Sequence, residues 1–229
     1  MERSSNDNSG AAFVKIEGEV SVTCAACGVT QRHPLVQSVD LREDPAARQR
    51  LLAGELNVAR CTCGKRTQLA ANLVVRDPDL RLLCHVCPDG EAAMQRAEAA
   101  FAESFAGAPR AEEFHRVVPS LNALVEKLKI ADAGLHDWAI EMTKVVLLAS
   151  IAVDDDDRVM LFAGLDRERG VLRWLLFDAR AETPAELSSP LEGYHRLIAS
   201  AGGPPPPDQR RIDRAWAIDA VRQMMNRGN

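Results

Sequence analysis

Between residues 13 and 86 apolar and polar positions alternate with a period of two. Val20, Val22 and Cys24 fall on one face of an extended segment, and Thr67, Leu69, Ala71, Leu73 and Val75 on one face of another. This pattern predicts a small β-rich unit. One helix interrupts it: Asp44 is placed to cap its N-terminus, Pro45 suits the first helical position, and Gly54 supplies a left-handed stop after Leu51 and Leu52. Asp77, Pro78 and Asp79 then turn the chain between two further strands.

From Asp89 the periodicity changes. Residues 91–105 are rich in Ala, Glu and Gln and predict a connecting helix, stopped at Gly107, Ala108 and Pro109. Val118, Leu121, Leu124, Val125 and Leu128 recur at helical spacing, as do Leu135, Trp138, Met142, Val145 and Ala149, so a helical hairpin is expected around Gly134. Residues 158–162 and 171–177 read as paired strands. Ser189, Pro190, Leu191 and Glu192 suggest a capping box for the next helix. Gly202 and Gly203 lead into four prolines, a stiff spacer. Asp208 is positioned to cap a last helix that presents Ile212, Trp216, Ala220 and Met224 to the core. The expected class is α+β. Its parts are a leader (1–12), an antiparallel β module with a helical insert (13–88), a connecting helix (89–110) and a mostly helical α+β part (111–229).

Composition narrows the function. In 229 residues, 46% hydrophobic and 27% charged side chains exclude wholesale disorder, and with few aromatics the core must be aliphatic. Residues 1–10 lack the apolar stretch of a secretory signal, and the longest apolar run, 145–153, falls well short of the ~20 residues that span a bilayer. A cytoplasmic chain without a membrane segment is therefore expected. The net charge of −5 argues against clamping nucleic acid by bulk field. Residues 1–90 carry eleven basic and eleven acidic side chains, so the acidity is C-terminal.

Six cysteines carry the chemistry. Cys24-Ala25-Ala26-Cys27-Gly28 has the spacing at which a tight turn aims two sulfurs at one ion, and the glycine permits the positive φ of such a knuckle. Cys61-Thr62-Cys63-Gly64 is its partner. Each pair lies between strand-like segments, so Cys24, Cys27, Cys61 and Cys63 are the expected ligands of a structural zinc in a ribbon-like module. The second pair is one residue short, which leaves open that His33 or a later cysteine replaces Cys63. Thiol redox catalysis wants the first cysteine at a helix N-terminus, and the residues after Cys27 are not helical. Cys84 and Cys87 have opposite parity on a flat strand and read as one core thiol on the Leu80, Leu82 and Val86 face and one near the edge, with a redox half-site or a swap into the metal site as alternatives.

Other candidates are weaker. His115, His136 and His195 lack metalloprotease spacing, and no Gly-rich phosphate loop occurs. Residues 154–157, four successive aspartates, read as a solvated turn and lack the alternate spacing of a calcium loop. Glu126, Asp132, Asp137 and Glu141 read as helix-surface charge before they read as a carboxylate catalytic pair.

The chain resembles the CpXC domain proteins of bacteria. The resemblance rests on Cys24 to Gly28, on Asp44-Pro-Ala-Ala-Arg-Gln-Arg-Leu-Leu-Ala-Gly-Glu-Leu-Asn57 leading into Cys61-Thr-Cys63-Gly64, and on Val75-Arg-Asp77-Pro78-Asp79. It extends through Ser120 to Ile130 and Asp132 to Asp137. Ala25 stands where the family motif has proline, and His136 where it has an acidic residue. The resemblance implies a metal-binding, zinc-ribbon-like fold with a helical extension and supplies no reaction. The expected function is a zinc-stabilised adaptor that binds a protein partner and is not an enzyme. A thiol-based redox switch and a metal-dependent hydrolase are the alternatives, and nucleic-acid binding comes last.

Overall fold

The computed structural model describes residues 13–104, 114–151, 158–178 and 181–227. The elements run β1 (Ile16–Thr23), β2 (Thr30–Asp40), α1 (Pro45–Leu52), β3 (Val58–Arg60), β4 (Arg66–Gln68), β5 (Leu73–Asp77), β6 (Leu82–Val86) and α2 (Glu91–Ser104). They continue with β7 (Phe114–Val118), α3 (Leu121–Asp132), α4 (Asp137–Ser150), β8 (Arg158–Asp166), β9 (Val171–Asp178), β10 (Ala185–Pro190), α5 (Leu191–Ala201) and α6 (Arg214–Arg227). The class is α+β, as expected. The expected leader, the helix stop at Gly107 to Pro109 and the acidic residues 154–157 lie outside the described residues.

The main sheet has the order β1-β2-β5-β6-β7. Its hairpins, β1–β2 and β5–β6, are antiparallel, but β2 pairs β5 in parallel and β6 pairs β7 in parallel. The sheet is thus mixed where a wholly antiparallel module was expected. The cause is connectivity: a parallel neighbour needs a crossover, and the segments holding α1 and α2 supply the two crossovers. The fifth strand comes from Phe114–Val118, beyond the connecting helix.

Both faces of this sheet are covered, which explains why β5 and β6 are apolar almost throughout. On one face Val39, Leu73, Val75, Cys84 and Val86 pack against Ala47 and Leu51 of α1 and Leu124 and Leu128 of α3. On the other, Leu83, Cys87 and Val117 lie under Ala93, Ala97 and Phe101 of α2. The Asp44 carboxylate accepts from the Ala47 N–H at 2.8 Å, and Gly54 takes φ +68° after α1, as the sequence predicts.

A second sheet, β10-β9-β8, is antiparallel and packs Met160, Phe162, Leu172 and Trp174 against Trp138 and Ile140 of α4 and Tyr194 of α5. Three boundaries differ from expectation. Val118 ends β7, and α3 starts at Leu121 with the Ser120 hydroxyl accepting from the Ala123 N–H. The capping box at Ser189 does not form, because its hydroxyl accepts from the buried Trp174 indole N–H at 3.0 Å. Asp213, and not Asp208, caps α6 by accepting from the Trp216 N–H, which turns Ala217 and Val221 into the core. Among the described residues no helix is long and apolar enough to cross a membrane.

Candidate metal centre

Two β-hairpin tips build the site. The first is the turn between β1 and β2, where the Cys24 N–H donates to the Val29 carbonyl at 2.9 Å and the Gly28 N–H to the Cys24 carbonyl at 2.8 Å. The second is the turn between β3 and β4, where the Cys61 N–H donates to the Lys65 carbonyl and the Gly64 N–H to the Cys61 carbonyl, both at 2.9 Å. Gly28 and Gly64 both take positive φ, +75° and +89°. The shorter Cys61 tip therefore keeps the same frame with one residue fewer. Its glycine closes on the third residue back where Gly28 closes on the fourth, and the geometric objection to the short spacing is met.

The two tips converge. Cys24 Sγ lies 3.7 Å from Cys63 Sγ, Cys27 Sγ lies 3.5 Å from Cys61 Sγ, and all four sulfurs fall within 4.8 Å of one another. A tetrahedral ion with bonds of about 2.3 Å to sulfur sets its ligands about 3.8 Å apart. The cluster matches that spacing, and the four cysteines can hold a metal ion. Their sulfurs are too far apart for disulfides, and the thiols are free.

Electrostatics favour thiolate at two of the four. The Ala26 and Cys27 backbone N–H groups point at the Cys24 sulfur and hold its thiol below its ordinary range. The Cys63 N–H does the same for Cys61, against its partial burial, and brings it down to about 6. At Cys27 the Val29 N–H favours the thiolate, but the crowded Cys61 and Cys63 sulfurs outweigh it and push the thiol up. Four thiols at this spacing cannot all ionise without a compensating cation, and a divalent ion supplies that charge.

Two residues that the sequence pattern does not single out position the second tip. The Thr62 N–H donates to Gln31 Oε1 at 3.2 Å, tying one tip to the other. Asn57, buried and at φ +55°, joins the start of the β3–β4 hairpin to Val36 of β2 through its side-chain amide. The sequence offers only the residue type, since asparagine tolerates positive φ better than most side chains.

The other candidates divide. Neither Cys84 nor Cys87 belongs to the sulfur cluster. Each is buried in the main-sheet core, on opposite faces, and burial pushes the Cys84 thiol up to about 12. His33 lies beside Cys24 and Cys61 in a small depression and is not among the four convergent ligands. His115 is buried against the Phe101 ring, and His136 stacks on Trp138.

The helical carboxylates correct the surface-charge expectation. Only Asp132 of the four is exposed, paired with Arg48 at 2.6 Å. Glu126 and Glu141 are buried and Asp137 is half-buried, and the three interlock with three buried cations. Arg116 grips Asp137 with two N–H donors, at 2.7 and 3.0 Å. Lys127 donates to Glu141 and to the Ile212 carbonyl, and Lys144 donates to Glu126 and Glu141. A cavity of about 260 Å³ borders this cluster. Each carboxylate already accepts from a cation, so the group is a neutral structural lock between α3, α4 and the residues beyond them. The sequence signal was an i,i+3 pair of opposite charges, Glu141 and Lys144, set inside an apolar helix.

A family model described as CpXC protein matches residues 22–144, more than half of the chain, and takes in both cysteine tips and the whole buried charge cluster. No curated protein and no solved structure matches the chain.

Proposed function

The chain belongs to the CpXC family, and on that premise we propose that Cys24, Cys27, Cys61 and Cys63 hold a structural zinc in a ribbon-like module and that the protein acts in the cytoplasm as a protein-interaction adaptor. The observation that carries this reading is the placing of four sulfurs, two from each hairpin tip, at the spacing of a tetrahedral ion. Four soft thiolates in that geometry favour zinc among the common divalent ions. Such a set fills the coordination sphere, so it leaves no position for a reacting water and supports a structural role over hydrolysis.

The β3–β4 hairpin shows why an ion is useful. Its strands are three residues each, and it shares no backbone ladder with the main sheet. A hairpin of that size is marginal alone, and metal bonds supply the missing stability. An adaptor also needs a partner surface. Val159 and Phe177 are cross-strand neighbours on the solvent side of the second sheet, 53% and 40% exposed, and form its natural centre.

Elemental analysis of the purified chain tests the metal. One zinc per chain is expected, lost on substitution of any of the four cysteines by serine and retained in Cys84→Ser and Cys87→Ser. A chain that stays folded and metal-free, or that keeps zinc in Cys63→Ser, overturns the reading. For the adaptor role, Val159→Glu with Phe177→Glu should leave zinc content unchanged and abolish co-purification of a partner. Undiminished capture would remove this surface from consideration.

A further inference from the structure

The sulfurs that face each other across the site belong to different hairpins: Cys24 faces Cys63 at 3.7 Å, and Cys27 faces Cys61 at 3.5 Å. Disulfide formation needs each pair to close by about 1.5 Å, to an S–S length near 2.05 Å. The approaches are open. Each facing pair has an exposed member, Cys63 opposite the buried Cys24 and Cys27 opposite the half-buried Cys61, and the flanking Ala25, Ala26, Gly28, Thr62 and Gly64 are all exposed. Contacts that do not involve a metal hold the tips opposed: the Thr62 N–H on Gln31, and the Asn57 amide on Val36.

We propose that this centre is a redox-gated metal store, in which peroxide converts the four thiolates into two inter-hairpin disulfides, Cys24–Cys63 and Cys27–Cys61, and releases the metal while the module keeps its fold. The proposal rests on the zinc reading given above and adds its regulation. The covalent links replace the ion as the staple between β1–β2 and β3–β4. Because they join positions 39 and 34 residues apart, they constrain the unfolded chain more than links within either tip would. A bridge within the second tip would also have to close a very small ring over the single residue Thr62.

The chemistry balances with a hydroperoxide as the oxidant. A thiolate of one pair attacks a peroxide oxygen: an S–O bond forms, the O–O bond breaks, and hydroxide leaves, to be protonated to water. The facing thiolate then attacks the sulfenic sulfur. The S–S bond forms, the S–O bond breaks, and a second hydroxide leaves as water. Each pair gives up two electrons to one peroxide. Two peroxides and four protons therefore yield two disulfides, four waters and the free divalent ion.

The test uses the full chain loaded with zinc and titrated with hydrogen peroxide, with a colorimetric zinc indicator, peptide mapping without reduction and circular dichroism as readouts. The expected result is one zinc released for two peroxides consumed, with links Cys24–Cys63 and Cys27–Cys61, an unchanged far-ultraviolet spectrum and full zinc rebinding after reduction. In Cys27→Ser the Cys24–Cys63 link alone should form. Links within the tips, links between chains, over-oxidation to sulfinic acid without release, or unfolding on release would each overturn the proposal. A chain that cannot be loaded with zinc overturns the metal reading instead, and the pairing found in that oxidised sample still decides whether the inter-hairpin links form.

Discussion

Asn57 binds Val36 as a neighbouring strand would, donating from its side-chain amide to the Val36 carbonyl and accepting from the Val36 N–H, both at 2.8 Å. β5 pairs with β2 only from Ser38 to Asp40, so the edge of β2 at Val36 has no backbone partner there. One side chain fills the gap, and the residue that does so begins the hairpin carrying Cys61 and Cys63. Docking of the second tip thus depends on a buried amide as well as on sulfur.

Asn57→Ala leaves a buried N–H and a buried carbonyl unpaired, at about 1–3 kcal/mol each, so a loss of roughly 2–6 kcal/mol is expected. A side chain at φ +55° adds about 1 kcal/mol that Asn57→Gly does not incur. Urea denaturation of the metal-loaded chain should therefore rank wild type above Gly and Gly above Ala. A loss below about 1 kcal/mol in both variants would show that the amide is replaceable by water.

The tip glycines allow a cleaner test of backbone strain. A Cβ added at Gly28 or Gly64 meets no atom within 4 Å, so Gly→Ala there costs only the left-handed conformation, about 1–2 kcal/mol. If that conformation is required only when metal is bound, affinity falls roughly 5- to 30-fold in each variant. Competition against a chelating indicator measures it. Gly18→Ala, an ordinary strand position with Gln37 Oε1 3.9 Å away, should leave affinity unchanged. Loss in the control, or none at the tips, would refute the strain argument.

The buried charge cluster sets an acid limit. Burial alone would raise the Asp137 carboxyl, but the Lys127 ammonium and the Arg116 guanidinium together hold it well below the usual range. A depressed carboxyl contributes stability that is present above its unfolded pKa of about 3.9 and is lost as pH falls toward the folded value. Lys127 is raised, because Glu141, Asp137 and Glu126 outweigh its desolvation, so its contribution is lost only in strong alkali. Asp137→Asn leaves two buried cations short of a partner and should cost about 3–5 kcal/mol at neutral pH. The difference between wild type and variant should shrink below about pH 4. A pH-independent difference would mean that Asp137 acts through packing alone.

Much of this architecture was legible in the sequence for a definite reason. The Asp44-Pro45 start and the two Cys-Gly tips are local signals, and each appears where its spacing puts it, whereas the period-two run from Thr67 to Val75 is divided between β4 and β5, which belong to different sheets. What escaped depends on distant partners. Ser189 has the chemistry of a helix cap, yet the Trp174 indole, fifteen residues earlier, claims its hydroxyl. Glu126 and Glu141 look like surface charge until Lys127 and Lys144 are seen to be buried with them. The parallel pairings likewise follow from crossovers, and periodicity carries no information about strand direction.

Thiol reactivity separates the two classes of cysteine without any knowledge of the metal. Cys84 is 0% and Cys87 1% exposed, and burial raises both thiols, Cys84 to about 12. The thiolate is the reactive form, so at pH 8 both should resist iodoacetamide while the fold persists. The tip cysteines differ in kind: without an ion Cys27 and Cys63 are exposed and Cys61 is half-buried, and only Cys24 is covered by protein. Alkylation followed by mass spectrometry should give little modification of the metal-loaded chain, modification of Cys27, Cys61 and Cys63, with Cys24 slower, after a chelator, and modification of all six in denaturant. If Cys84 or Cys87 reacts on chelation alone, the core under α2 and α3 opens with the metal, and the site supports the whole five-stranded sheet instead of one small hairpin.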